Sequence, residues 1–270
     1  MAPIVHFVRH AQGVNNLGPS HWGIIDPTLT LKGKEQSHHL QSIFPHHANV
    51  ELIAASPLRR TIYTAMHAFR PAFDANPDRK LLLLPDLQEY SGFSCDIGSE
   101  VGVLGEEMRE NGVPVDMGLL GEGWEKKTGR YEPTTETISA RCRDVRCWLK
   151  DRPEKEIVLV THGGLLHYLT EDWEDACKGT GTGWTNTEYR SYVFTDDVYD
   201  DLAGTDFGGR NATLVETGES RARRGLKETP PSREEQKELY KLGRKGWEAQ
   251  GLYLSPSEMA EKTGVKVTEK

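Results

Sequence analysis

A chain of 270 residues with a formal net charge of −8, 36% hydrophobic and 27% charged residues has an ordinary globular composition and the length to bury roughly three quarters of its unfolded surface. The acidic balance repels polyanions and argues against nucleic acid as a partner, and no apolar run approaches the ~18 residues that a membrane span needs. Cys95, Cys142, Cys147 and Cys177 show neither CxxC spacing nor histidine partners, and Met1-Ala2-Pro3 runs straight into a strand-like segment, so the expected location is the reducing cytoplasm or nucleus.

In chain order, Ile4–Val8 reads as a first strand and is followed at once by Arg9 and His10. Lys32–Phe44 has helical periodicity, Val50–Ala55 reads as a second strand and Leu58–Phe69 as a second helix, with Ser56 as its N-cap and Pro57 at its first position. Leu81–Leu84 is a short third strand. The segment 91–131, rich in glycine and acidic residues and broken in pattern, is expected to be an inserted lid with short helices of its own. Thr135–Leu149 is helical; Ile157–Val160 is continuously apolar, as a strand buried on both faces should be; Gly164–Leu169 opens another helix and Tyr189–Phe194 is a fifth strand. This alternation predicts an α/β fold, a three-layer sandwich with a mostly parallel central sheet.

Charge places a boundary near Thr217. The tail from Glu219 carries 12 Lys or Arg against 9 Asp or Glu, which leaves residues 1–218 eleven charges negative. A main domain at 1–218 and a C-terminal helical tail at 219–270 are therefore expected. In the tail, Ser232 with Glu235 three residues on forms a capping box ahead of a charged helix, with Leu239, Leu242 and Trp247 assigned to its docking side.

The candidate chemistry collects at strand ends. Arg9 and His10 follow the first strand, Ser56 to Arg60 follow the second, and His162 with Gly163 and Gly164 follows the fourth. In an open α/β sheet that edge is where ligands bind, and glycines at a helix start allow close approach and offer N–H groups to an anion. Arginine forks and histidines gathered there suit a phosphate and a nucleophile active near neutral pH. Other features take blander readings. His38, His39, His46 and His47 are assigned to the surface and His6 to the core, with no metal site expected. The GTGTG run at 179–183 lacks a preceding strand and a lysine, and the acceptor triplet at Asn211 is read as chance. Lys126, Lys127 and Arg130 are read as a solvated turn.

Taken together, VRHAQGVNN (8–16), DPTLTLKGKEQ (26–36), SPLRRT (56–61), LQE (87–89) and VTHGG (160–164) resemble the histidine phosphatase superfamily, which has the phosphoglycerate mutase-like fold. With CDIGS (95–99), the pattern is most similar to fungal and plant mutase-like phosphatases. The resemblance implies that His10 is the nucleophile, that Arg9, Arg60, His162, Asn16 and Gly163 surround the phosphoryl group, and that Glu89 protonates the leaving oxygen. It further implies hydrolysis of a small-molecule phosphate ester with no cofactor and no metal. Ala11, Gln12 and Gly13 depart from the glycolytic mutase pattern, which sets a phosphoglycerate mutase second, and the joint presence of His10, Arg9, Arg60, His162 and Glu89 argues against the third reading, a catalytically silent phosphate-binding scaffold.

Overall fold

The computed structural model describes residues 2–176, 182–195 and 212–263; Cys177, Asn211 and positions 179–181 of the GTGTG run lie outside them. The chain runs through Ile4–Arg9 (β1), Leu31–Ile43 (α1), Leu52–Ala55 (β2), Arg59–Ala68 (α2), Arg70–Asp74 (α3), Leu81–Leu83 (β3), Val101–Glu110 (α4) and Val115–Asp116 (β4). It continues through Thr135–Lys150 (α5), Glu156–Thr161 (β5), Gly163–Thr170 (α6), Tyr189–Phe194 (β6), Leu214–Glu216 (β7), Gly218–Arg223 (α7), Arg233–Gln250 (α8) and Pro256–Thr263 (α9). Among the described residues no helix is long and apolar enough to cross a membrane.

The strands form one sheet in the order β4-β3-β2-β5-β1-β6-β7, so the fold is α/β with a mostly parallel sheet. β1 to β5 are mutually parallel where they pair, while β6 is antiparallel to both β1 and β7. Alternation within β5 explains its uninterrupted apolar run. Ile157 and Leu159 join the core under α5 and α6, whereas Val158 and Val160 join the core under α1 and α2. β5 lies between β2 and β1, with Ala55 opposite Val160 and Arg9 opposite Thr161. Three strand ends are thereby level, and the residues that follow them converge.

The segment 91–131 makes two kinds of contact. Its first part carries Cys95 and Asp96 to the sheet edge, while α4 buries Leu104 and Met108 and β4 extends the sheet beside β3. In the tail, Ser232 accepts from Glu235 N at 3.3 Å and Glu235 accepts from Ser232 N at 2.7 Å, the reciprocal box that the spacing predicts. The buried face of α8 is Gln236, Tyr240, Gly243 and Trp247, at helical spacing; Leu242 points to solvent, contrary to the sequence reading, because it is one step off that stripe. Trp247 packs its ring 5.1 Å from Trp173 and 6.3 Å from Tyr90, the residue next to Glu89. Trp247→Ala is expected to cost about 3–5 kcal/mol in denaturant unfolding. A loss below about 1 kcal/mol would show that α8 does not pack on the domain in solution.

Candidate active site

The backbone of His10 is held by its donation to the Thr161 carbonyl at 2.9 Å, which continues the β1–β5 pairing one residue past the strand. Its ring is buried rather than facing solvent, at 3% exposure, with the Arg60 side chain against it and the His162 ring 5.1 Å away. Nδ1 lies 2.7 Å from the carbonyl oxygen of Ala11. A carbonyl only accepts, so Nδ1 carries the proton and Nε2 keeps the lone pair. Arg60 Nε donates to that Nε2 at 3.3 Å. Burial, followed by the charges of Arg60 and Arg9, holds the His10 pKa well below the ordinary 6.5, so the ring is neutral at pH 7.

Arg60 is held in place along one side of its fork. Nη1 donates to the Cys95 carbonyl at 2.6 Å and Nη2 to Asp96 Oδ1 at 2.6 Å. The remaining side faces the two histidines, with Nε against His10 and Nη2 3.1 Å from His162 Nδ1. Because Arg60 donates to Nδ1 of His162, the proton of that ring is on Nε2, which donates to Ser56 Oγ at 2.9 Å. Ser56 therefore orients His162 and is not the N-cap of α2, whose first residue is Arg59. That helix start is capped from a distant loop, where Asp26 Oδ1 accepts from Arg59 N at 2.8 Å.

Glu89 and the start of α6 fit together. Gly164 N and Leu165 N donate to the Glu89 carboxyl at 3.1 and 3.0 Å. The acceptor at this helix N-terminus is thus a carboxyl side chain of the protein itself. A Cβ on Gly164 would lie 2.8 Å from the Tyr90 ring and 2.9 Å from Glu89 Oε1, and one on Gly163 would lie 2.1 Å from Thr182 Oγ1 and 3.3 Å from Arg9 Nε, so both glycines are required by close approach. Burial, and then the neighbouring Asp96 carboxylate, raise the Glu89 pKa above 4.5, while the N–H groups of Gly164 and Tyr90 pull the other way. Glu89 keeps partial exposure.

Arg9 is anchored by Nη1 donating to the Trp184 carbonyl, and its buried Nε has no partner among the described residues. Asn16 Oδ1 accepts from Gly13 N at 3.0 Å and from Asn186 at 3.4 Å, and Asn186 in turn donates to the His10 carbonyl at 2.8 Å. In this arrangement Asn16 is linked to the His10 backbone through Asn186.

The triplet of basic residues divides. Lys126 and Arg130 are exposed, and Arg130 pairs with Asp86 and Asp144. Lys127 is not solvated: it is buried, donates to Gln88 Oε1 at 2.6 Å and to the Glu89 carbonyl, and burial pulls its pKa down to about 7. Nearby Cys95 is buried, which raises its thiol pKa and keeps it a thiol near neutral pH.

The family model for the histidine phosphatase superfamily (branch 1) matches residues 5–199. The chain belongs to this superfamily. Phosphoglycerate mutase-like protein 1 of Arabidopsis thaliana is 28% identical over 248 residues, covering 76% of this chain and 86% of that protein. A second Arabidopsis thaliana phosphoglycerate mutase-like protein is 27% identical, covering 71% and 84%. The ecdysone phosphate phosphatase of Bombix mori, solved with tungstate, aligns with a TM-score of 0.48 at 17% identity, covering 71% of this chain and 89% of that one.

Arg9, His10, Arg60, His162 and Gly163 meet around one point, with the Glu89 carboxyl against the N-terminus of α6 beside them. Asn186 and Asp96 complete the arrangement without having been assigned to it from sequence. Asn186 sits in a loop with no motif, and its role comes only from the β1–β6 pairing. Asp96 lies in the CDIGS segment, but nothing in that pattern says that its carboxylate holds Arg60.

Proposed function

We propose that this histidine phosphatase hydrolyses a small-molecule phosphomonoester through a phosphohistidine at Nε2 of His10. The observation that carries this reading is the neutral, buried His10 whose Nε2 lone pair faces the guanidinium edge of Arg60, itself anchored behind by Cys95 and Asp96. A phosphoryl group in transfer spreads charge over three oxygens, and donors fixed beforehand stabilise it without reorganising.

In the first step Nε2 of His10 forms a bond to phosphorus as the bond to the ester oxygen breaks. Protonated Glu89 gives its proton to the departing alcohol. In the second step Glu89 removes a proton from a water whose oxygen attacks phosphorus, the N–P bond breaks, and neutral His10 returns. Arg9 and Arg60 face the phosphoryl oxygens in both steps. Hydrolysis is favoured over mutase chemistry because Lys127 is tied to Gln88 and the Glu89 carbonyl while Lys126 and Arg130 face solvent, so this triplet offers no ready clamp for a second phosphate.

Purified protein is expected to hydrolyse an aryl phosphate at a rate unchanged by exhaustive chelation and to be inhibited by vanadate, which resembles the pentacoordinate transition state. Loss of rate with chelator and its return with a divalent ion would reject the mechanism. Isomerisation of 3-phosphoglycerate with a bisphosphate primer, or ester binding without turnover, would reject the hydrolase reading.

A further inference from the structure

We infer that the opposite edge of the sheet holds a binding site for one divalent transition-metal ion, zinc by preference, formed by His6, His46 and Glu156. His6 lies within β1, four residues before His10, which at strand rise puts it roughly 13 Å from the nucleophile. Glu156 opens β5, and His46 follows α1 in the turn that leads to β2. Their ligand atoms lie within 4.8 Å of one another. Glu156 Oε2 is 3.2 Å from His6 Nε2 and 3.3 Å from His46 Nδ1. Ligands bound tetrahedrally at ~2.0–2.1 Å from zinc stand about 3.3–3.4 Å apart, so two edges of the polyhedron already have the right length. Two imidazoles and one carboxylate are a donor set for zinc, and a fourth position is left for water.

The surroundings hold these groups in place. Ser191 Oγ is 2.8 Å from Nδ1 of His6, so a proton on Nδ1 can be donated to Ser191 and Nε2 is left with its lone pair for an ion. Asn49 Nδ2 donates to Oε1 of Glu156 at 3.1 Å, which turns Oε2 toward the two rings. Phe44 packs edge-on against both rings, at 5.2 Å from His6 and 5.5 Å from His46. His6 is fully buried, while the side chains of His46 and Glu156 are 26% and 15% exposed, so an ion has a path in. The ion touches no reacting atom, and the site is consistent with hydrolysis that needs no metal.

The test titrates the full-length, chelator-treated protein with zinc by calorimetry and with cobalt by visible absorption, which reports tetrahedral coordination. One equivalent is expected to bind and to raise the melting temperature. Glu156→Gln and His46→Ala are each expected to weaken binding at least tenfold, with circular dichroism confirming the fold. Binding is expected to persist in His10→Ala, at the candidate active site, and in His38→Ala, where an exposed imidazole lies against half-buried His67. Absence of stoichiometric binding, or binding that survives both Glu156→Gln and His46→Ala, would overturn the inference and leave a carboxylate that accepts hydrogen bonds from two imidazoles.

Discussion

His10→Ala is expected to lower turnover at least about ten-thousandfold, since it removes the atom that bonds to phosphorus. The fold should survive. The ring is buried, but its partners are few: the substitution leaves the Ala11 carbonyl and Arg60 Nε without the imidazole, a cost of about 1–3 kcal/mol against the 5–15 kcal/mol typical of a domain. Activity and denaturant unfolding measured on the same preparation separate the two effects. Retention of most of the activity in a folded His10→Ala protein would remove His10 from the mechanism.

Glu89→Gln should discriminate between leaving groups. An alkoxide needs a proton as it departs, whereas a nitrophenolate leaves with little help, so alkyl phosphates should slow about a hundredfold to ten-thousandfold and aryl phosphates far less. The raised Glu89 pKa adds a pH signature. Its acid form persists above pH 4.5, so the alkyl reaction should decline on the alkaline side as that proton is lost, and Glu89→Gln should abolish this limb. In the proposed mechanism water attack on the phosphohistidine also uses Glu89, so the comparison belongs to the single-turnover burst, which isolates the first step. Arg60→Ala serves as the contrast, because it should slow both ester types alike by removing stabilisation of oxygens common to each transition state. Equal slowing of alkyl and aryl bursts in Glu89→Gln would reject Glu89 as the acid and make Asp96, which accepts from Arg60 and Ser91, the next carboxyl group to test.

Much of this arrangement was legible because parallel strands turn sequence position into spatial position. Once Ile4–Val8 and Ile157–Val160 are read as parallel neighbours, His10 and His162 must share an edge, and the structure pairs Arg9 with Thr161 accordingly. The capping box at Ser232 was equally readable because it is local. What sequence did not reveal depends on contacts between distant segments. Ser56 has the composition of an N-cap, yet its hydroxyl meets His162 from 106 positions away while Asp26 caps the helix. Lys127 is flanked by charged residues that suggest a solvated turn, but the fold presses it against Gln88 and Glu89. His6 and His46 read as core and surface because only the sheet brings them to the same carboxylate. The N–H groups of α6 looked free for substrate because nothing local shows that Glu89 reaches them.

Rapid acid-free quenching during turnover of a labelled phosphate ester, followed by peptide mapping, tests the central claim most directly. The expected result is one phosphoryl group per active site on the ring of His10, stable in base, lost in acid, and absent from His10→Ala. Label on any other residue, or a burst of alcohol release with no protein-bound phosphate, would contradict a phosphohistidine mechanism.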